Sequence, residues 1–181
     1  LTVQPGEAVA ITGPAGAGKS TIAALVAGAL APTTGAAIRG GMRIGYVPEL
    51  PFLVDGTVAE NVARFGRYDL QSVHAAIDRA GVRDILDGLE LGVETPLRCD
   101  PVQPNGGLTL REARAATIAR AVFAPVDVLG IDKPELAMDV RDVHAIAAAL
   151  QRLRESGVGL LIASNDPRFQ ALADRFIHIE A

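Results

Sequence analysis

Residues 13–21 read GPAGAGKST and follow directly on the apolar run Ala8–Thr12, AVAIT. A short strand, a glycine-rich loop and an Ala-rich helical stretch in that order constrain this chain more than any other feature. From Gly13 to Ser20 the spacing is G-x-x-x-x-G-K-S, the pattern of a loop whose backbone N–H groups close around phosphate oxygens. Each part has a chemical reason. The small residues Gly13, Pro14, Ala15, Gly16, Ala17 and Gly18 let the backbone approach an anion. The helix that begins at Lys19 adds the partial positive charge of its N-terminus. Lys19 is placed to reach the β- and γ-phosphates, and Ser20, followed by Thr21, to offer a hydroxyl to Mg²⁺. The bland alternative is a glycine-rich turn with a solvated lysine. The strand–loop–helix context argues against it and for a nucleotide site.

The remaining pattern extends this start into a fold. Apolar residues are 49% of 181 and charged residues 21%, enough for one buried core built from Ala, Val, Leu and Ile. Strands are expected at Ala8–Thr12, Ala36–Arg39, Met42–Val47, Val126–Ile131, Val158–Ala163 and Phe176–Ile179. Helices are expected at Lys19–Leu30, from Thr57, at Leu70–Ala80, Val82–Leu89, from Thr109 to about Phe123, at Val140–Glu155 and at Arg168–Ala173. TVAE at Thr57 and TLRE at Thr109 have the spacing of capping boxes. Residues 93–107 read as irregular. The apolar runs around 126–131 and 158–163 are of the kind buried on both faces of a parallel sheet. The expectation is an α/β fold: a P-loop NTPase core, a mostly parallel sheet flanked by helices, with a helical subdomain inserted at about 50–108.

Other features narrow the function classes. Net charge is −4 without a basic tract, which argues against a nucleic-acid partner. The single cysteine, Cys99, cannot pair within the chain, fits a reducing compartment and reads as an inert small residue. His74, His144 and His178 show no metal-ligand spacing and read as structural. No run approaches the roughly 20 apolar residues of a membrane span, and no signal-peptide pattern opens the chain. The opening LTVQPGE and closing RFIHIEA read as segments from within strands, so an excised domain is expected.

A phosphate loop of this type works with a second strand that brings an acid to the metal. VDVLGID does so, and Asp132 is that acid, with Lys133 directly after it.

The order of motifs is then specific: the P-loop, IGYVPE, FLVDGTVAENVARFG, GLTLREARAATIARAV, VLGIDKPELAMD and LLIAS. This series resembles the nucleotide-binding domain of an ABC transporter over nearly the whole chain. The phrase DGTVAENVARFG is similar to the exporter branch, particularly type I protein-secretion ATPases. The resemblance implies ATP and Mg²⁺ as ligands and Ser20 and Asp132 as metal ligands. It implies a second such domain, in a homo- or heterodimer, as partner. It also implies attachment to an exporter's transmembrane domain at the cytoplasmic face of the membrane. In that family two domains sandwich two ATP molecules, each held by one subunit's P-loop and the other's L-S-G-G-Q signature.

Several positions depart from that pattern. The glutamate that polarises the attacking water is replaced by Lys133, whose ammonium cannot accept a proton. The switch histidine is replaced by Ser164 or Asn165, and the Q-loop glutamine by Glu49. Aligned without gaps, the signature is Leu108–Glu112, LTLRE, with Leu110 and Arg111 where the family has glycines; Thr109 keeps a hydroxyl, and Arg111 is a candidate phosphate partner. A rival alignment places PNGGL (104–108) there. Asp139 matches a dimer-contact aspartate or serves as a helix N-cap. No aromatic precedes Gly13 to stack on adenine, and the hairpin between TTG and IGYVPE is shortened to AAIRGGM. The expectation is therefore an ATP-binding export domain with weak or absent hydrolysis. The alternatives are a working ATPase with Glu49 or Glu135 as substitute base, and a regulatory nucleotide-binding module outside transport.

Overall fold

A computed structural model describes residues 1–180. The elements, in chain order, are β1 (Ala8–Thr12), α1 (Lys19–Ala27), β2 (Ile44–Val47), β3 (Gly56–Thr57), α2 (Val58–Val62), α3 (Leu70–Ala80), α4 (Arg83–Leu86), β4 (Pro96–Leu97), α5 (Leu110–Ala121), β5 (Val128–Asp132), α6 (Val140–Glu155), β6 (Gly159–Ala163), α7 (Pro167–Gln170) and β7 (Arg175–His178). They fall into two compact units, the first made of residues 1–49, 125–135 and 150–181, the second of 50–124 and 136–149.

The first unit is a five-stranded sheet in the order β2-β5-β6-β1-β7, with every neighbouring pair parallel. All residues of β5 and β6 are buried, as their unbroken apolar runs require of a sheet covered on both faces. Val9, Ile11, Leu161 and Ala163 pack with Ala23 of α1 into one core cluster. Truncating a fully buried side chain such as Ile11 to alanine costs about 2–5 kcal/mol in a core of this kind. Because the strands are parallel, their carboxyl ends lie at one edge. Register pairs Asp132 with Ala163 across β5 and β6, and Thr12 lies at the matching end of β1. This is the edge at which open α/β sheets bind ligands.

The second unit is mainly helical. Both capping boxes form: Thr57 and Glu60 open α2, and Thr109 and Glu112 open α5. The α3 helix buries Val73, Ala76, Ile77 and Ala80 on one stripe. Arg114 of α5 is fully buried.

Several local expectations differ from the structure. The helices expected at Val82–Leu89 and Arg168–Ala173 are the single turns Arg83–Leu86 and Pro167–Gln170. Ala36–Arg39 is not a strand: Ile38 is 92% exposed, and Arg39 instead donates to the carbonyls of Leu25 (3.0 Å) and Val26 (3.3 Å) at the end of α1. That helix stops at Ala27 rather than Leu30, because Gly28 takes a left-handed conformation and caps it. The irregular stretch 93–107 contains β4, which pairs antiparallel with β3. A pairing across some forty residues leaves no periodic signal in two-residue strands.

Candidate nucleotide site

The site grows from the end of β1. Gly13 has φ 142°, and a Cβ there would lie 2.4 Å from the Ile179 carbonyl oxygen, so only glycine fits. Asn165 clamps this residue from the tip of β6: its Oδ1 accepts from the Gly13 N–H (3.3 Å) and its amide donates to the Gly13 carbonyl (3.0 Å). Gly16 and Gly18 have φ 82° and 92°, and added Cβ atoms there would meet nothing within 4 Å. Their role is backbone conformation.

The N-terminus of α1 carries no side-chain cap and no acid in its first turn; Gly18 stands at its N-cap. The first N–H groups of a helix need partners from outside it, and this end offers them to an anion. Lys19 is buried, and its ammonium donates to the carbonyls of Gly13 (2.8 Å) and Pro14 (2.7 Å). The lysine is thus folded back over its own loop.

Asp132 ends β5 and is 1% exposed. Burial first, and the Asp132 charge second, push the Tyr46 phenol above its ordinary range. Lys133 follows with φ 45°, a left-handed conformation that is uncommon for a side chain of this size. Its N–H donates to the Ala163 carbonyl at 2.9 Å, which ties the turn to the next strand. The Lys133 ammonium donates to Glu49 Oε1 at 2.5 Å. This bond and the nearby carboxylates hold the ammonium above its usual pKa against the opposing effect of burial. Ser164 is buried; its hydroxyl donates to Glu135 Oε2 (2.8 Å) and accepts from the Asp166 N–H (2.9 Å).

These groups line one cavity of about 330 Å³, bordered by Ala15, Gly16, Gly18, Lys19, Ser20, Thr21, Glu49, Lys133, Glu135, Ser164 and Asn165. Its volume falls in the range of small-molecule sites. Pro14 accepts from Lys19 through its carbonyl, and Gly13, Ala17 and the buried Asp132 are not among the bordering residues. The donor chemistry fits Mg²⁺, which takes one or two protein oxygens and completes its shell with phosphate and water. A serine hydroxyl and a carboxylate are oxygen donors of that type.

The structure therefore brings Lys19, Ser20, Glu49, Lys133 and Ser164 together. Sequence reasoning missed the Glu49–Lys133 pair, the Ser164–Glu135 bond and the Asn165 clamp. The first had a signal: two neighbouring family positions change together to opposite charges.

In the second unit, Arg111, which the ungapped alignment makes a candidate phosphate partner, bonds within its own unit. Its guanidinium makes two bonds to Asp142, at 2.6 and 2.7 Å, and Asp142 is 5% exposed. The bond to Arg111 is the main cause holding the Asp142 carboxyl below its usual range. Asp139 Oδ1 accepts from the Asp142 N–H at 2.9 Å, so Asp139 caps the start of α6. Thr109 likewise spends its hydroxyl on Glu112. Gly106 and Gly107 of the rival alignment lie just before α5, with φ 65° and 98°.

Comparison with known proteins places this architecture. The family model described as ABC transporter matches residues 1–135; the chain belongs to the ABC transporter family, as an ATP-binding domain. It is 36% identical over 170 residues to the zinc import ATP-binding protein ZnuC of Yersinia enterocolitica, covering 92% of this chain and 62% of that protein. It is 30% identical over 195 residues to the ATP-dependent lipid A-core flippase of Bordetella avium, covering 100% of this chain and 32% of the flippase. Among solved structures, a bacterial Atm1-family ABC exporter with ATP bound superimposes with a TM-score of 0.82 at 26% identity, over 98% of this chain and 32% of that one. The chain thus spans less than two thirds of the length of these relatives. It resembles the ATP-binding domains of exporters. Among the described residues, no helix is long and apolar enough to cross a membrane.

Proposed function

We propose that this chain is the ATP-binding domain of an ABC-type export transporter, binding Mg·ATP through Gly13–Thr21 and Asp132, with weak or absent hydrolysis of its own. The observation that carries the reading is Lys133. It stands where the family places its water-polarising glutamate, and its ammonium is bonded to Glu49. An ammonium cannot take a proton from water, so the residue at that position cannot act as the base. Losing a positioned general base removes about 10²–10⁴-fold in rate.

The chain's own residues would act as follows. The open N-terminus of α1 and the ammonium of Lys19 hold the phosphates, and Ser20 and Asp132 hold the metal. A Mg²⁺ ion held there by Ser20 and Asp132 would supply charge neutralisation to the phosphates. The proposed unit is a single nucleotide-binding domain with a helical subdomain at about 50–108. Its partners are a second such domain and an exporter's transmembrane domain at the cytoplasmic face of the membrane. Leu50 and Phe52, each 68% exposed, offer apolar side chains to a partner. The phrase Asp55–Gly66 supports protein secretion of the type I kind as the transport branch.

A second reading, a working ATPase with a substitute base, is favoured by Glu135. Its carboxylate lines the same cavity and is oriented by Ser164. Phosphate release by the purified chain, alone and with candidate partner domains, separates the two. The first reading expects saturable ATP binding with release at background when the chain is alone. Sustained turnover that Glu135→Gln removes would establish the second.

A further inference from the structure

The cavity's two cations are held in different ways. Lys19 donates to two neutral carbonyls of its own loop. Lys133 donates to a carboxylate, Glu49. With Glu135 also present, the charged side chains lining the cavity sum to zero: Lys19 and Lys133 against Glu49 and Glu135. An incoming polyphosphate is therefore attracted by the open α1 N-terminus and by whichever cation turns toward it, not by a surplus of side-chain charge.

The Glu49–Lys133 pair is able to yield. Its side chains are 40% and 36% exposed for Lys133 and Glu49, so water screens the bond and takes up whichever partner is released. A phosphate oxygen is a charge-assisted acceptor at least as good as a carboxylate. The backbone of Lys133 is fixed by its left-handed turn and its bond to Ala163, so only the flexible stem has to move. One cavity is lined by Lys133, Glu49 and the P-loop residues Ala15, Gly16, Gly18, Lys19, Ser20 and Thr21, so Lys133 borders the same space as the phosphate loop.

We infer that Lys133 is a second phosphate-binding cation that discriminates triphosphate from diphosphate, with Glu49 as the counter-ion it gives up when the terminal phosphate arrives. This rests on the nucleotide-binding reading above and deepens it. Glu49 competes with the nucleotide for Lys133, so the pair lowers affinity for ATP while leaving the cavity neutral when empty.

The test is calorimetric titration of the purified chain with Mg·ATP and with Mg·ADP, for the unmodified protein and for Lys133→Met, Lys133→Arg and Glu49→Gln, each with a melting curve. Lys133→Met is expected to weaken ATP by about tenfold, the scale of one charge-assisted hydrogen bond, and to leave ADP within about twofold. Lys133→Arg keeps the preference for ATP. Glu49→Gln tightens ATP by about three- to tenfold, by removing the competitor, with ADP again little changed; this variant decides the matter even where Lys133→Met melts early. Equal shifts for both nucleotides, no shift in Lys133→Met, or weaker ATP binding in Glu49→Gln overturn the inference while the binding reading stands. An unmodified, folded chain that takes up neither nucleotide overturns both.

Discussion

The starts of α1 and α5 are both helix N-termini, and they are built in opposite ways. At α1 no side chain caps the helix, no acid occupies the first turn, and the lysine rests on neutral carbonyls. At α5 Thr109 and Glu112 close a full capping box, and Arg111 is tied by two bonds to the buried Asp142. The first end is open to an anion. The second has satisfied its own donors. The difference teaches that donor count alone says little about a phosphate site; what matters is how strong a partner must be displaced. A carbonyl is displaced readily by a charged oxygen, a half-exposed carboxylate less so, and a buried bidentate carboxylate least.

The largest way to break this comparison is Lys19→Ala, expected to abolish Mg·ATP binding, a loss of about 100-fold or more for a charged partner of several phosphate oxygens. Retained affinity in a titration would show that the α1 end does not bind phosphate as described. Next, Lys133→Glu restores a carboxylate at the family's base position but leaves Ser164 and the α5 end unchanged. Phosphate release should rise less than about tenfold, well short of the 10²–10⁴ a positioned base contributes.

Asp142→Ala sharpens the contrast from the other side. It removes the partner of Arg111 and the acceptor of the Asp139 N–H, and should cost about 2 kcal/mol in urea unfolding. ATP affinity of the isolated chain should remain within about twofold, because the α5 end does not contribute to it. Improved ATP affinity in this variant would mean that Arg111, once freed, reaches phosphate.

The smallest effect lies at the start of β5, the opposite end of that strand from Asp132. Asp127 is held down to about 2 from an ordinary 3.8, chiefly by its side-chain bond to Arg43 and then by the Arg43 N–H. Its folded pKa lies below its unfolded one, so the stability it lends is present above about pH 4 and is lost as pH falls toward 2. Asp127→Asn should therefore flatten the acid-unfolding profile across that window and leave neutral pH nearly unchanged, read by circular dichroism.

Local rules were legible in the sequence, and distant pairings were not. The two capping boxes are contacts three residues apart, and both form. The P-loop could be read because strand, loop and helix are consecutive. The buried strands could be read because burial on both faces leaves unbroken apolar runs. Ala36–Arg39 misled, because a short apolar run is a strand only if another strand is there to pair with it. Glu49 and Lys133 are 84 residues apart and Glu135 and Ser164 are 29 apart; the sheet brings them together by placing the carboxyl ends of β2, β5 and β6 side by side. Arg111 is a candidate phosphate partner by its place in the ungapped signature alignment, and a sequence gives no sign that its guanidinium bonds Asp142, 31 residues further on.

The central claim is that the α1 end grips a triphosphate while no side chain beside it activates water. The most direct measurement follows nucleotide occupancy and phosphate release in one sample of the purified chain with Mg·ATP. Saturable binding with phosphate release at the buffer rate is the expected result. Sustained multiple turnover by the chain alone would contradict the account.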